Sequence, residues 1–287
     1  MKIITTSSFQ EKPGSKAVSR SRSRTSIMLI AFWHTMRRDI MVTARGFVPF
    51  LMQVLVMPFS LLIVFGRILP GVGTMGQLYP ATFFPGVVAL TIFMASLQGI
   101  SLSLMLDLDY SREIDDRLLA PVPISLVAVE KVAFAAVRAM TAGILTFPLA
   151  YWVLGSGYQV RTDALVPLFG IMLLYALSSS ALGLLIGSGL SADKIYLLFT
   201  LVFSATMYTG CVYYTWSSIS SIKVLQIITM FNPLTYASEG LRYAMVPPID
   251  GQVATTLPIG WALLGLSASF VIFLTIGIRI FHKRVIS

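Results

Sequence analysis

The chain has 287 residues, 56% of them hydrophobic and only 11% charged, with a mean hydropathy of +0.83, which excludes a water-soluble globule. One cysteine, Cys211, closes no intrachain disulfide, and two histidines, His34 and His282, build no histidine-based metal site. The net charge of +9 sits mainly in tails and loops, where Lys and Arg act as topology signals rather than as a nucleic-acid footprint.

Ser, Arg and Lys dominate residues 1–25 without an apolar core of signal-peptide length. An organelle transit peptide and a basic tail touching anionic lipid both fit, and the tail is the adopted reading. From Ser26 to Ala44 the residues Leu29, Trp33, Met36, Ile40 and Ala44 recur at helical spacing, with His34, Arg37 and Arg38 on other faces. This predicts an amphipathic helix in the membrane interface. Trp33, Arg37 and Arg38 are its candidate residues, for anchoring or for gating.

A charge at mid-bilayer costs at least about 2.5 kcal/mol, so crossings fall in apolar stretches of about 20 residues with few or no charges. Six emerge: Phe47 to Phe65, Ala81 to Leu106, Val127 to Leu154, Leu165 to Gly187, Ile195 to Tyr214 and Leu257 to Ile278. The expected fold is therefore an all-α integral membrane protein. Residues 1–45 form a cytoplasmic tail with the interfacial helix, and residues 46–287 form one six-helix transmembrane domain. Lys and Arg resist translocation. With the N-terminus inside, 16 of them stay cytoplasmic and four, Arg67, Arg161, Lys223 and Arg242, face outward. Both termini are thus expected in the cytoplasm.

Between the second and third crossings, Asp107 to Glu130 gathers Asp107, Asp109, Arg112, Glu113, Asp115, Asp116, Arg117 and Glu130. Tyr110, Ile114 and Leu118 recur every four residues, which predicts a short amphipathic helix with Ser111 as a cap and Pro121-Val122-Pro123 as its stop. Ser125 is then expected to cap the third crossing. The loop is either a solvated helix or a docking surface. Arg112, Glu113, Ile114, Asp116, Leu118 and Leu119 would offer a soluble partner an apolar anchor and a charge pattern.

Arg138 is the one charge well inside a predicted span. It snorkels to the interface, pairs with Asp107 or Asp109, or meets an anionic headgroup. Gly183 and Gly187 form a GxxxG match, read as close helix packing inside the subunit. On the fifth crossing Phe199, Phe203, Met207 and Tyr208 make an aromatic and Met face, for lipid or core packing or as a candidate substrate path. The roughly forty residues after Tyr214 are apolar but broken by Pro and charge, so a short extracytoplasmic re-entrant helical hairpin is expected between helices five and six. Asn232 before Pro233 suits a helix start, and Glu239 with Arg242 is spaced to pair on one face, as a staple or as a substrate contact.

Phe84-Pro85-Gly86-Val87-Val88-Ala89, then Arg112-Glu113 with Leu118-Leu119 and Pro121, then Lys131, and downstream Asn232-Pro233-Leu234-Thr235-Tyr236 with Glu239 and Arg242, together resemble the permease subunits of ABC-2 type exporters. Ile114-Asp115 departs from the glycine that many members carry after the acidic residue. The resemblance implies six transmembrane helices per subunit, a homo- or heterodimer of permeases, and two cytoplasmic ATP-binding subunits that hold ATP and Mg. It also makes the stretch around Ile114 to Leu119 a coupling helix. Independently, a Walker A motif needs Lys followed by Ser or Thr, and no lysine of this chain is so followed. No cofactor, metal or catalytic residue is therefore assigned to this chain.

The expected function is the membrane subunit of an ATP-driven exporter in the cell membrane. Its cargo would be hydrophobic or amphipathic compounds such as drugs, lipids or lipid-linked glycans. Two rivals are a membrane-embedded lipid or glycan transferase and a non-transporting assembly factor. The transferase would need acids, histidines or metal ligands converging on one face.

Overall fold

The computed structural model describes residues 30–286 apart from 31, 35, 42–45, 77, 106–122, 190–191 and 248–256, and every element among them is helical. We number the main helices α1 (Phe47–Leu61), α2 (Tyr79–Met105), α3 (Ile124–Leu154), α4 (Leu165–Gly189), α5 (Ala192–Thr209), α6 (Lys223–Met230), α7 (Pro233–Met245) and α8 (Ile259–Ile286). Among the described residues, five helical stretches are long and apolar enough to cross a membrane: Val48–Gly71, Tyr79–Ile100, Ile124–Leu154, Leu165–Gly189 and Ile259–Arg284. The expected fifth crossing corresponds to α5, an 18-residue helix that carries Asp193 and Lys194 in its first turn and is less apolar than those five.

The first crossing runs further than the sequence suggests. After α1 the chain continues through a π-helical stretch, Leu62–Ile68, and a last turn, Leu69–Gly71. Pro58 lies inside α1 and offers no N–H to the carbonyl four residues back. The ladder widens into the π form one turn later, as helices do where the regular bonding is interrupted. Arg67, on this continuation, is exposed and reaches a neighbouring helix. Its Nη1 donates to the Val153 carbonyl, at 3.3 Å, at the end of α3.

This is an instance of a wider pattern. The last carbonyls of a helix lack ladder donors, and a cation there also opposes the helix dipole. At the other end of the bundle, Arg284 of α8 donates to the carbonyls of Gly187 and Ser188, both at 3.3 Å, at the end of α4. Arginines thus close two helix ends across the bundle.

α2 is the central element: 83% of an 18-residue apolar stretch within it is buried, against 11% of such a stretch in the last helix. It is hydrophobic all round, the pattern of a helix surrounded by others. Small residues bring its neighbours close. A Cβ on Gly143 of α3 would stand 2.7 Å from Ile92 Cγ1, and one on Gly183 of α4 would stand 2.1 Å from Ile100 Cγ2. Gly183 of the GxxxG pair therefore packs against α2 within this subunit.

Two local readings need correction or placement. Ser125 does not cap the third crossing, because α3 begins at Ile124 with Pro123 in the N-cap position and no side-chain cap bond. Pro123 already supplies the extended entry, at φ −64° and ψ 139°, and Ser125 lies inside the first turn. Ahead of α1, residues 30, 32–34 and 36–41 are helical, with Trp33 (65%) and Ile40 (43%) exposed. Arg37 and Arg38 are exposed there too, and Arg38 Nε lies 3.3 Å from Asp39 Oδ1. The expected coupling residues Arg112, Glu113, Ile114, Asp116, Leu118 and Leu119 fall outside the described residues.

Candidate functional site

The segment between α5 and α8 folds into a 3-10 turn, Trp216–Ile219, and then α6 and α7, joined through Phe231 and Asn232. α7 starts where the sequence signals it. Asn232 is its N-cap, its side-chain oxygen accepting from Leu234 N at 2.9 Å, and Pro233 occupies the first turn, where a missing N–H costs nothing. Pro233, Leu234, Thr235, Glu239 and Arg242 are all buried, and α7 packs against α2, α4 and α8.

One face of α7 carries Asn232, Thr235, Glu239 and Arg242 at helical spacing, with Ser238 beside them. That face is spent on the exposed backbone at the end of α5. Asn232 Nδ2 donates to the Thr206 carbonyl (2.8 Å) and to Thr209 Oγ1 (2.9 Å). Thr235 Oγ1 donates to the Thr209 carbonyl (3.3 Å) and to that of Thr229 (2.7 Å). Ser238 Oγ donates to Gly210 O at 3.0 Å. Arg242 closes the row, with Nη2 donating to the carbonyls of Cys211 (2.5 Å) and Val212 (3.2 Å).

Arg242 is the centre of this node. It is 1% exposed, and its partner Glu239 is fully buried. Nη1 donates to Glu239 Oε1, while Nε donates to the Thr82 carbonyl of α2 at 2.9 Å. Glu239 Oε1 also accepts from the Trp216 backbone N–H at 3.0 Å. A buried charge pair persists only with such additional bonds around it. The guanidinium therefore fastens the α7 helix, the end of α5 and the central α2 at one point.

The chain reverses tightly here. Cys211 adopts φ +52°, a left-handed conformation that costs a non-glycine residue about 1–2 kcal/mol. The reversal runs directly against Gly86, where a Cβ would stand 2.5 Å from Val212 O and 2.8 Å from Val212 Cα. Gly86 is thus a contact point for backbone. Nearby, the loop between α3 and α4 joins the far end of α7, with Arg161 N donating to Met245 O at 2.9 Å. The Arg161 side chain donates two hydrogen bonds to Asp163, which hold that exposed carboxyl below its ordinary range.

The aromatic and Met face of α5 divides. Phe203 stacks on Phe93 of α2, with ring centroids 6.2 Å apart at 11°, and Met207 also packs against the bundle core. Tyr208 is 65% exposed and stacks on Tyr213, with centroids 6.3 Å apart. The Phe199 side chain lies outside the described residues.

The Glu239–Arg242 pair and the Asn232 cap were legible from spacing. Thr235, Ser238 and Thr82 were not singled out. A polar stripe at positions 232, 235, 239 and 242 of an otherwise apolar segment was the signal available for Thr235, and Ser238 beside that stripe was the signal for the second. Thr82 gave none, since only its backbone carbonyl takes part.

A family model described as ABC-2 type transporter matches residues 30–246. Among curated proteins, "Inner membrane transport permease YadH" of Escherichia coli (strain K12) is 25% identical over 239 residues, covering 81% of this chain and 91% of that one. The protein of the same description from Shigella flexneri matches with the same identity and coverage.

Proposed function

The chain belongs to the ABC-2 type transporter family, and from that premise we propose that it is the exporting membrane subunit of a complex powered by separate ATP-binding subunits. As a multi-pass permease of the cell membrane, it offers a route for hydrophobic or amphipathic compounds toward the outside. Six crossings, counting α5, keep both termini in the cytoplasm, with α6 and α7 as a re-entrant hairpin on the outer side. Two permease subunits and two ATPases make the working unit.

Nucleotide closure in the partner reaches the helices through the loop from Asp107 to Glu130. Arg112, Glu113, Ile114, Asp116, Leu118 and Leu119 form the contact. A nucleotide can bias the permease only by binding one arrangement more tightly than the other. Trp33, Arg37 and Arg38 hold the N-terminal helix at the inner interface beside the moving parts. Exposed Tyr208 lines the cargo path, with Phe199, Phe203 and Met207 on the same helix and the last two packed behind it against the bundle core.

The observation that carries this reading is the full engagement of the buried polar groups on α7. Glu239 is tied to Arg242 and to the Trp216 N–H, and every nitrogen of Arg242 donates to Glu239 or to backbone. A lipid or glycan transferase needs acids or bases free to meet substrate. Such a wired node instead suits an outer wall that moves as one piece.

The test is purification of the tagged full chain from its own host. A co-purifying ATPase is expected, and charging both anchors, Ile114→Glu with Leu118→Glu, should lower its turnover about tenfold or more or release it, as loss of interface anchors does. Unchanged association and turnover would remove the docking assignment.

A further inference from the structure

Arg138 stands among three helices at the end of the bundle where α1 begins and α2 ends. Phe50 is three residues into α1, about 4.5 Å by helix rise, and Gly99 is six residues before the end of α2, about 9 Å. Arg138 meets both. Its guanidinium carbon lies 4.7 Å from the centroid of the Phe50 ring. A Cβ on Gly99 would lie 3.6 Å from Arg138 Cδ and 3.7 Å from Nη1, so the missing side chain leaves the guanidinium its room.

The aromatic face answers the charge but not the donors. A guanidinium carries five N–H groups, and a ring face satisfies none of them by a regular hydrogen bond. Arg138 Nε is buried without a hydrogen-bond partner, and among the described residues Arg138 has no carboxylate partner. This contrasts with Arg67, Arg242 and Arg284, each of which donates to a neighbouring helix.

A second polar pair adjoins it. Gln53, one turn after Phe50 on α1, donates through Nε2 to Gln98 Oε1 at 2.9 Å, and Gln98 immediately precedes Gly99 on α2. That bond leaves the N–H donors of Gln98 for something else. Gln53 is exposed, and beside Arg138 the Val137 side chain is 47% exposed, so the cluster opens on the outside of this subunit. Arg138 is itself 14 residues into α3, about 21 Å by helix rise, so α3 starts well beyond the level of Phe50. Three residues inside the start of α1, the outside of the helices lies near the boundary between headgroups and acyl chains in the placement proposed above. The cluster offers a cation and amide donors and no acid among its described members. The complementary ligand is a phosphate group carried on an apolar tail.

We propose that Arg138, with Gln53 and Gln98, binds the phosphate of a membrane amphiphile at this end of the bundle. The inference rests on the bilayer placement in the proposed function, where this end faces the cytoplasm. The phosphate belongs either to a bilayer phospholipid or to a phosphorylated polyprenyl chain handled as cargo.

The test is native mass spectrometry of the delipidated full-length chain with phosphatidylglycerol, a polyprenyl monophosphate, or diacylglycerol as the phosphate-free control. The wild type should retain a phosphate-bearing lipid and discriminate against diacylglycerol. Arg138→Gln should weaken that retention about tenfold, the scale of a hydrogen bond to a charged group. Arg138→Lys should fall between them, as a point charge without the planar fork. Gln53→Leu, at an exposed position and checked for wild-type unfolding because it also gives up the bond to Gln98, should weaken it about threefold, as for one neutral hydrogen bond. Preference for phosphatidylglycerol identifies a bilayer lipid, and preference for the polyprenyl phosphate identifies cargo. Retention within about twofold of wild type in both Arg138→Gln and Gln53→Leu, well below these expectations, would overturn the proposal, as would equal retention of diacylglycerol. Since this readout uses neither ATP nor a partner, its failure leaves the permease assignment standing, and failure of the ATPase experiment leaves this one intact.

Discussion

Replacing Arg242 with Met tests whether the node between α2, α5 and α7 holds this end of the bundle together. The substitution keeps most of the volume and removes every donor. Glu239, fully buried, then keeps the Trp216 N–H but loses its counter-charge. Breaking a buried pair from one side costs about 3–5 kcal/mol. The carbonyls of Cys211 and Val212 lose the guanidinium as well, and a buried polar group left without its partner costs about 1–3 kcal/mol. Thr82 lies within α2, where its carbonyl keeps a ladder donor, so its loss counts for less. Such terms overlap, and the expected total is about 4–6 kcal/mol.

The double variant Glu239→Leu with Arg242→Met removes both charges and should be milder than Arg242→Met alone by about 2 kcal/mol. The orphaned carbonyls and the Trp216 N–H keep it below wild type. Reversible unfolding in mixed micelles of sodium dodecyl sulfate, followed by tryptophan fluorescence, gives both numbers, and Trp216 reports from the site itself. A cost below about 1 kcal/mol for the single variant, or a double variant worse than the single, would refute the idea that the charge pair and the carbonyls share one staple.

Gly86→Ala should destabilise by about 1–3 kcal/mol in the same assay, because its Cβ would meet Val212 backbone at 2.5 Å. Gly170→Ala on α4, with nothing within 4 Å, should instead gain up to about 1 kcal/mol from helix propensity. Equal effects at the two positions would discount the close approach. For topology, cysteines placed at Thr74 and Ser220 in a Cys211→Ser background should react with a membrane-impermeant maleimide on intact cells. One at Leu118 should react only after permeabilisation, and the reverse pattern would invert the orientation.

Much of the architecture could be read from residue order, because a bilayer imposes a length. About 20 apolar residues make a crossing whatever the neighbours do. Charge-poor runs therefore located α2, α3, α4 and α8 to within a few residues, apart from the long C-terminal end of α8, and Asn232-Pro233 marked the start of α7. The Glu239–Arg242 pair was equally local, a consequence of i,i+3 spacing on one helix. The continuation of the first crossing past Phe65 brings in a contact that was not local, since Arg67 there donates to a carbonyl 86 residues away.

The same distinction separates what the residues alone determined about the site from what the assembled bundle decided. The ion pair at Arg242 and the cap at Asn232 followed from neighbours two or three residues apart. The receivers of its remaining donors lie 30, 31 and 160 residues away in the chain, and they are backbone carbonyls that no side-chain pattern announces. The physical reason is that polar backbone in a dry interior must be satisfied by whatever packing brings near. That bringing-near is a property of the folded helices together.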